Sequence, residues 1–369
     1  MTDSFTANRR NVLKTMGAVA GAGAVAGCTT YGDSNDDTEG AYSVTMEPVG
    51  TVEFDEVPET WYANNGSWAD MGIALGQQPP EGVWLPSRYH TQYYDEIPGV
   101  SVDKSDMTAL YQDGVSEEQF YDPKADVNVI DPNFLMNRFK GWSQEKIDRV
   151  ANQSGPFFGN SIFSTGYDWH EDYPYLSLYE AFGKLAELFQ QQERYDAFVD
   201  LHEQFQSNVE EIVPSESERP SVAIMWAGAA DATSFSPYLI GEGTSFKQWR
   251  DLGVRDAFDE TSVRDFHDNR GSVDYETLLE IDPDVLLFRG HENQTREEFQ
   301  NGLVAQMESD DTAQKLTAVQ NGDVYRGGPL YQGPITNLVV TERAAEQVYG
   351  VEASLFDAER VAEIVDGDL

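Results

Sequence analysis

The chain is 369 residues long and carries 65 acidic against 24 basic residues, a formal charge of −41. Acids recur along its whole length, in DEVPET, VSEEQFYD, HEDYP, FDETSVRD and MESDD, which excludes nucleic acid as a partner because phosphate binding needs a basic surface. Aromatic residues at 12% and apolar runs such as SVAIMW and DVLLF exclude disorder, so the acidity reads as a halophile's surface, hydrated and self-screened in concentrated salt.

The first stretch is MTDSFTANRRNVLKTMGAVAGAGAVAGCTT. A basic pair, Arg9-Arg10, precedes a run of small apolar residues over 15–27, too short for a bilayer span of about 20. NRRNVLK resembles a twin-arginine export signal. Val25-Ala26-Gly27-Cys28 resembles a lipobox, in which a peptidase cuts before the cysteine and a lipid is attached to its sulfur. An ordinary cleaved signal with an incidental cysteine is the plainer alternative. Cys28 is the only cysteine, so there is no disulfide framework and no cysteine metal cluster. The expected organisation is a twin-arginine lipoprotein signal over 1–28 and a flexible acidic tether over 29–47. An N-terminal α/β lobe over 48–174, a linking helical segment over 175–214 and a C-terminal α/β lobe over 215–369 follow. The protein is then a lipid-anchored one on the extracellular face of the cell membrane.

Beyond the tether, apolar runs predict strands at 60–63, 83–85, 127–130 and 157–158, and again at 222–226, 239–240, 285–288 and 324–325. Helical spacing falls between them at 67–75, 143–152, 245–252 and 295–307. The two halves share a repeat: VSEEQFYDPKADVNVI (115–130) aligns without gaps on VDYETLLEIDPDVLLF (273–288). Val115, Glu118, Asp126 and Val127 match Val273, Glu276, Asp284 and Val285. Each copy reads as a short helix, a turn ending in Asp and a buried strand, which predicts two similar α/β lobes. Between them, residues 193–213 carry Tyr195, Phe198, Val199, Leu201, Phe205, Val209 and Ile212 at helical spacing. A helix of that length spans about 32 Å, a stiff connection that leaves little room for closure.

These residues carry a resemblance. ETWYANNGSWADMGIALG (59–76), the two repeat segments and LTAVQNGDVYRGG (316–328) resemble, in order and spacing, the class III solute-binding proteins of ABC importers. The resemblance implies two Rossmann-like lobes with central β-sheets joined by one long α-helix. It implies a binding protein rather than an enzyme, a monomer without a cofactor, whose ligand is an Fe(III)-siderophore complex or another iron chelate. Its partners would be an ABC permease and its ATPase, with the membrane reached through the lipid anchor. In the family a glutamate on each lobe meets arginines of the permease; by position these are Glu118 and Glu276, with Glu117 adjacent to the first. The acidity and signal together suggest a haloarchaeal lipoprotein.

In open α/β sheets a ligand lies beyond the carboxyl ends of the strands. Reading just after each strand gives Trp61, Tyr62, Trp68, Arg88 and Tyr89 in the first lobe. In the second it gives Trp226, Tyr238, Arg289, Arg326 and Tyr331. Aromatic faces would cover an organic shell, and guanidinium forks would bond its oxygens. Cobalamin, haem or a bare metal ion are alternative ligands. For a bare ion the histidines are His90, His170, His202, His267 and His291, none forming a pair at metal-ligand spacing. An exported hydrolase would need a nucleophile elbow or a zinc helix, and Gly-x-Ser-x-Gly and His-Glu-x-x-His are both absent.

Overall fold

The computed structural model describes residues 41–165, 167–227, 233–266 and 270–369. The export signal, Cys28, residues 29–40 of the expected tether and His267 lie outside them. The remainder of the expected tether is not a tether. Strand β1 (Tyr42–Met46) pairs antiparallel with β2 (Gly50–Phe54). Alternation puts Val44 and Met46 on one buried face, where Phe54 meets Phe158 edge-on at 6.4 Å. The apolar positions of YSVTM thus claim the segment for the N-terminal lobe.

That lobe holds a parallel sheet in the order β5-β4-β3-β6, made of β3 (Trp61–Ala63), β4 (Gly82–Val83), β5 (Thr108–Ala109) and β6 (Val127–Val129). Helix α1 (Gly66–Ala74) follows β3 at once, with the Asn65 side chain capping Ser67 N at 2.9 Å. Every residue of α1 is buried, as a helix apolar on nearly all sides requires. Helices α2 (Pro132–Arg138) and α3 (Gln144–Gln153) follow β6.

The linking segment is a helical pair, α4 (Leu178–Phe189) and α5 (Gln192–Ile212), broken at Gln190 in the left-handed region. Helix α5 carries the chain into the second lobe. There β7 (Ser221–Trp226), β8 (Ser234–Tyr238), β9 (Arg255–Asp256), β10 (Val273–Asp274), β11 (Val285–Arg289) and β12 (Val324–Arg326) form a mixed sheet. Its order is β10-β8-β7-β11-β12, with β9 beside β7. The strand expected at 239–240 instead lies at β8. The amides of Leu239 and Ile240 donate to the Asp265 and Asp256 carboxylates at 2.8 and 2.7 Å, which takes them out of any ladder. Helix α6 (Lys247–Asp251), α7 (Tyr275–Ile281), α8 over 296–309 with a π-turn at Gln300–Val304, and α9 (Thr317–Asn321) pack around this sheet. Helices α10 (Pro334–Tyr349) and α11 (Ala358–Asp366) close the chain. Among the described residues no helix is long and apolar enough to cross a membrane.

The sequence repeat has a structural meaning. The first copy is a 3₁₀ turn, Glu117–Phe120, leading to β6; the second is α7 leading to β11. Its shared aspartate is a lock in both lobes. Asp126 Oδ2 accepts from Thr60 N and Oγ1, both at 2.9 Å, and Asp284 Oδ2 accepts from Ser221 N and Oγ, both at 2.7 Å. Each carboxylate ties the turn to the start of the lobe's first parallel strand.

The lobes are joined by more than α5. Helix α10 packs on α1 of the first lobe and α6 of the second, and its N-terminus is capped from across the joint. The buried Asp70 of α1 accepts from Ile335 N, Thr336 N and Thr336 Oγ1 at 3.0, 3.1 and 3.1 Å. A Cβ at Gly333 would stand 2.4 Å from Asp70 Oδ2, so this approach needs a glycine. Burial pushes the Asp70 carboxyl up to about 6, against the bonds from Thr336 and Ile335 that hold it down. Tyr93 donates to Glu292, Gln332 N to Ser67 Oγ at 3.0 Å, and Arg343 pairs with Glu96 at 2.7 Å, each across the same joint.

Candidate functional site

Beyond the carboxyl ends of β4, β6, β7 and β12 lies a cleft of about 370 Å³ between the lobes. From the first lobe it is walled by Trp84 just after β4, Arg88 on the 3₁₀ turn Pro86–Arg88, Phe134 and Arg138 on α2, and Phe163, Tyr167, Asp168 and Trp169 on the segment before α4. From the second come Trp226, Ser236, Tyr238, Phe266, Arg270, Leu330 and Tyr331. A side cavity of about 180 Å³ opens past Arg88 and Trp226, between His90, Glu292, Asn293 and the glycines at 290 and 328.

The rings are packed against one another into a continuous wall. Trp84 meets Phe134 at 5.0 Å, Phe134 meets Tyr167 at 6.3 Å, and Tyr167 stacks on Trp169 at 4.3 Å. Phe163 meets Tyr331 edge-on at 5.4 Å. Arg88 sits at the junction of the lobes. Its guanidinium lies 5.1 Å over the Trp226 ring, and while burial raises the Tyr331 phenol's pKa, the Arg88 charge lowers it. Gly290 has φ +95°, and a Cβ there would meet the Trp226 indole at 2.9 Å, so glycine lets the ring lie flat on the end of β11. Arg270 covers Phe266 at 5.0 Å. Among the described residues no carboxylate lies within ion-pair distance of Arg88, Arg138 or Arg270. Three cations that lack an ion-pair partner among the described residues, with a shell of aromatic faces, suit an anion with an organic surface.

Of the ten residues expected to touch a ligand, Arg88, Trp226, Tyr238 and Tyr331 line the cleft. The other six do not. Trp61 and Tyr62 lie on β3, the covered inner strand. The Trp61 ring rests on Gly72 and donates to Gln78 O at 3.0 Å, and the Tyr62 phenol donates to Pro123 O at 2.8 Å. Trp68 belongs to the wholly buried α1, and Tyr89 shares a 2.7 Å bond with the Tyr94 phenol in the core. Arg326 turns away to Gln294 O. Arg289 is fully buried behind the wall, donating to Ser245 O.

Sequence reasoning missed Trp84, Phe134, Arg138, Phe163, Tyr167, Trp169, Phe266 and Arg270. Trp84 was within reach of the strand-end rule, one residue past β4. The aromatic density of TGYDWHEDYPY is the one signal that marked the Tyr167 segment. Nothing local marks Arg138, at the end of a helix.

Both Glu118 and Glu276 are exposed in the first turn of their helical segments. Glu117 is engaged by Arg149 at 2.8 Å and Lys146 at 3.4 Å. Burial pulls His90 down to about 4, so it stands neutral in the side cavity, and its Nδ1 has no hydrogen-bond partner among the described residues. His202 packs tilted against Tyr179 at 4.0 Å and His170 stacks on Tyr173 at 3.9 Å. Among the described residues no three His, Cys, Asp or Glu side chains gather closely enough to hold a metal ion. A larger groove, about 1080 Å³, runs between α5, α10 and α11. It lies away from the strand ends, and its arginines Arg343 and Arg360 are paired with Glu96 and Glu363.

The sequence profile of the periplasmic binding proteins matches residues 126–330, more than half of the chain. In fold the chain is similar to a periplasmic binding protein from Veillonella parvula, with TM-score 0.57 and 15% identity over 85% of this chain and 99% of that one. It is similar to Staphylococcus aureus SirA complexed with staphyloferrin B (TM-score 0.54, 15% identity, 83% and 98% covered). It is also similar to the triscatecholate siderophore binding protein FeuA from Bacillus subtilis complexed with ferri-bacillibactin (0.52, 15%, 79% and 93%). No curated protein matches the sequence.

Proposed function

The chain belongs to the periplasmic binding protein family, and from that premise we propose that it captures a ferric siderophore between its lobes and delivers it to the permease of an ABC importer. Members of this family bind rather than catalyse. The observation that carries the ligand class is the cleft itself. In a chain of 65 acids and 24 bases, Arg88, Arg138 and Arg270 converge on one aromatic-walled cavity without carboxylate partners among the described residues. Guanidinium forks and π-faces match the oxygen-rich, anionic and partly apolar surface of an iron chelate. That SirA and FeuA hold staphyloferrin B and ferri-bacillibactin supports the same reading.

Delivery rests on Glu118 and Glu276, one per lobe, meeting basic residues of the permease; exposed charges of this kind set orientation more than affinity. Glu118 is the better partner than Glu117, which Arg149 and Lys146 already hold. Export by the twin-arginine route and a lipid on Cys28 would keep the receptor beside its permease, where a tether raises its effective concentration. The acidic surface fits a cell living in concentrated salt.

The test is a titration of tryptophan fluorescence with ferric trihydroxamates, ferric tricatecholates and ferric citrate in molar salt. Trp226, Trp84 and Trp169 line the cleft, so saturable quenching by at least one chelate is expected. No quenching by any of them, with the protein folded, removes the chelate class.

A further inference from the structure

Arg289 ends β11 in the run VLLFR and is fully buried. Its guanidinium lies 4.5 Å from the Phe246 ring centre and 5.7 Å from that of Tyr238, a ring that walls the cleft. Nη2 donates to Ser245 O, while Nε and Nη1 have no hydrogen-bond partner among the described residues. Among the described residues no carboxylate stands within ion-pair distance of it. The acids nearest in effect are Glu292 and Asp265. Glu292 is engaged by Tyr93 and by Gly328 N at 3.1 Å, and Asp265 by Leu239 N at 2.8 Å. Burial lowers its pKa to about 10, which leaves it charged at neutral pH.

A buried cation with no ion-pair partner among the described residues is a large cost to the folded state. Its place is informative: it is fully buried next to Tyr238, a ring that lines the cleft. We propose that Arg289 is a positioning residue of the binding site, a buried cation behind the Tyr238 ring whose counter-charge is the bound anion. This rests on the reading that the cleft takes an anionic chelate. Arg138 and Arg270 are exposed, so concentrated salt screens them, whereas a buried charge is screened much less. Arg289 therefore preserves a preference for anions under conditions that silence the rim.

The test compares the wild type, Arg289→Met and Arg289→Lys in molar salt. Each is titrated with a trianionic ferric tricatecholate and a neutral ferric trihydroxamate, and each is melted without chelate. The Met variant is expected to bind the trianion about ten-fold more weakly, leave the neutral chelate unchanged, and melt no lower than the wild type because a buried charge has gone. Lysine should restore most of the preference. Equal weakening of both chelates, or a ligand-free melting temperature below the wild type's, marks a structural role and overturns the inference alone. Failure of the wild type to bind either chelate overturns the proposed ligand class, and this inference with it.

Discussion

In the C-terminal lobe the central strands β7 and β11 run six and five residues, whereas β3 and β6 of the N-terminal lobe run three each. Both lobes use the same turn-and-strand unit and the same aspartate lock, Asp126 on Thr60 and Asp284 on Ser221. The first lobe makes up for its short ladders with rings: Trp61, Tyr62, Trp68, Tyr93, Tyr94, Phe120 and Phe158 are all buried to within 2% of complete. A short strand brings the next helix close behind it, so residues near a strand end fall into the core. That is the fate of Trp61, Tyr62, Trp68 and Tyr89. In the second lobe Trp226, at the end of β7, and Ser236 and Tyr238 on the antiparallel β8 beside it line the cleft, whereas Arg289 at the end of β11 stays buried. The lesson is that a shared framework does not imply a shared site. The first lobe walls the cleft from loops and a helix end, the second largely from strand ends and the loop after β12.

The comparison is most exposed at docking. If the lobes are equivalent there, Glu118→Ala with Glu276→Ala abolishes chelate uptake by a reconstituted permease while affinity is unchanged, and each single change causes a partial loss. One single change that does all the damage breaks the equivalence; Glu117→Ala should leave uptake intact.

The next largest effect concerns the joint. The folded Asp70 carboxyl titrates at about 6, above its ordinary 3.8. Above pH 6 the folded state therefore carries a buried charge at a cost. As pH falls through that value it takes up a proton before the unfolded chain does, and stability is gained until the ordinary value is passed. Relative to Asp70→Asn, the wild type should gain roughly 3 kcal/mol between about pH 7 and about pH 4, read by urea unfolding. A flat difference shows that α10 is not capped by an ionised carboxylate.

Within the cleft, Arg88→Ala should weaken chelate binding by about ten-fold or more, since it also packs on Trp226. Arg138→Ala and Arg270→Ala, at the exposed rim, should each cost about three-fold and lose their effect in molar salt. Equal losses from all three would say that the rim and the junction act alike.

The smallest effect tests the lock. Asp126→Ala and Asp284→Ala should each destabilise by about 1 kcal/mol in chemical unfolding. A clear inequality would show that the aspartate matters more to the lobe with short strands.

Much of the framework was legible in one dimension. Apolar runs are read locally, so the parallel strands at 222–226 and 285–288, the buried α1 and the long α5 follow from composition and spacing. The repeat was legible too, because Asp126 and Asp284 do the same work at the same offset from a strand. The hairpin at Tyr42–Met46 was hidden by its polar neighbours, although its own alternation was there to be read. The cleft was legible as a zone of aromatics and arginines after strands, and only in part as residues.

What the sequence by itself determined is the inventory: two α/β lobes, a stiff crossing helix, few cations, and rings clustered near strand ends. Only the tertiary structure decided which of them face a ligand. Periodicity assigns a side chain to a face of its own element, but what covers that face is set by chain far away. Arg88 comes after buried β4 and Arg289 ends buried β11; Arg88 stands in the cleft over Trp226, whereas Ser245, Phe246 and Tyr238 pack around Arg289.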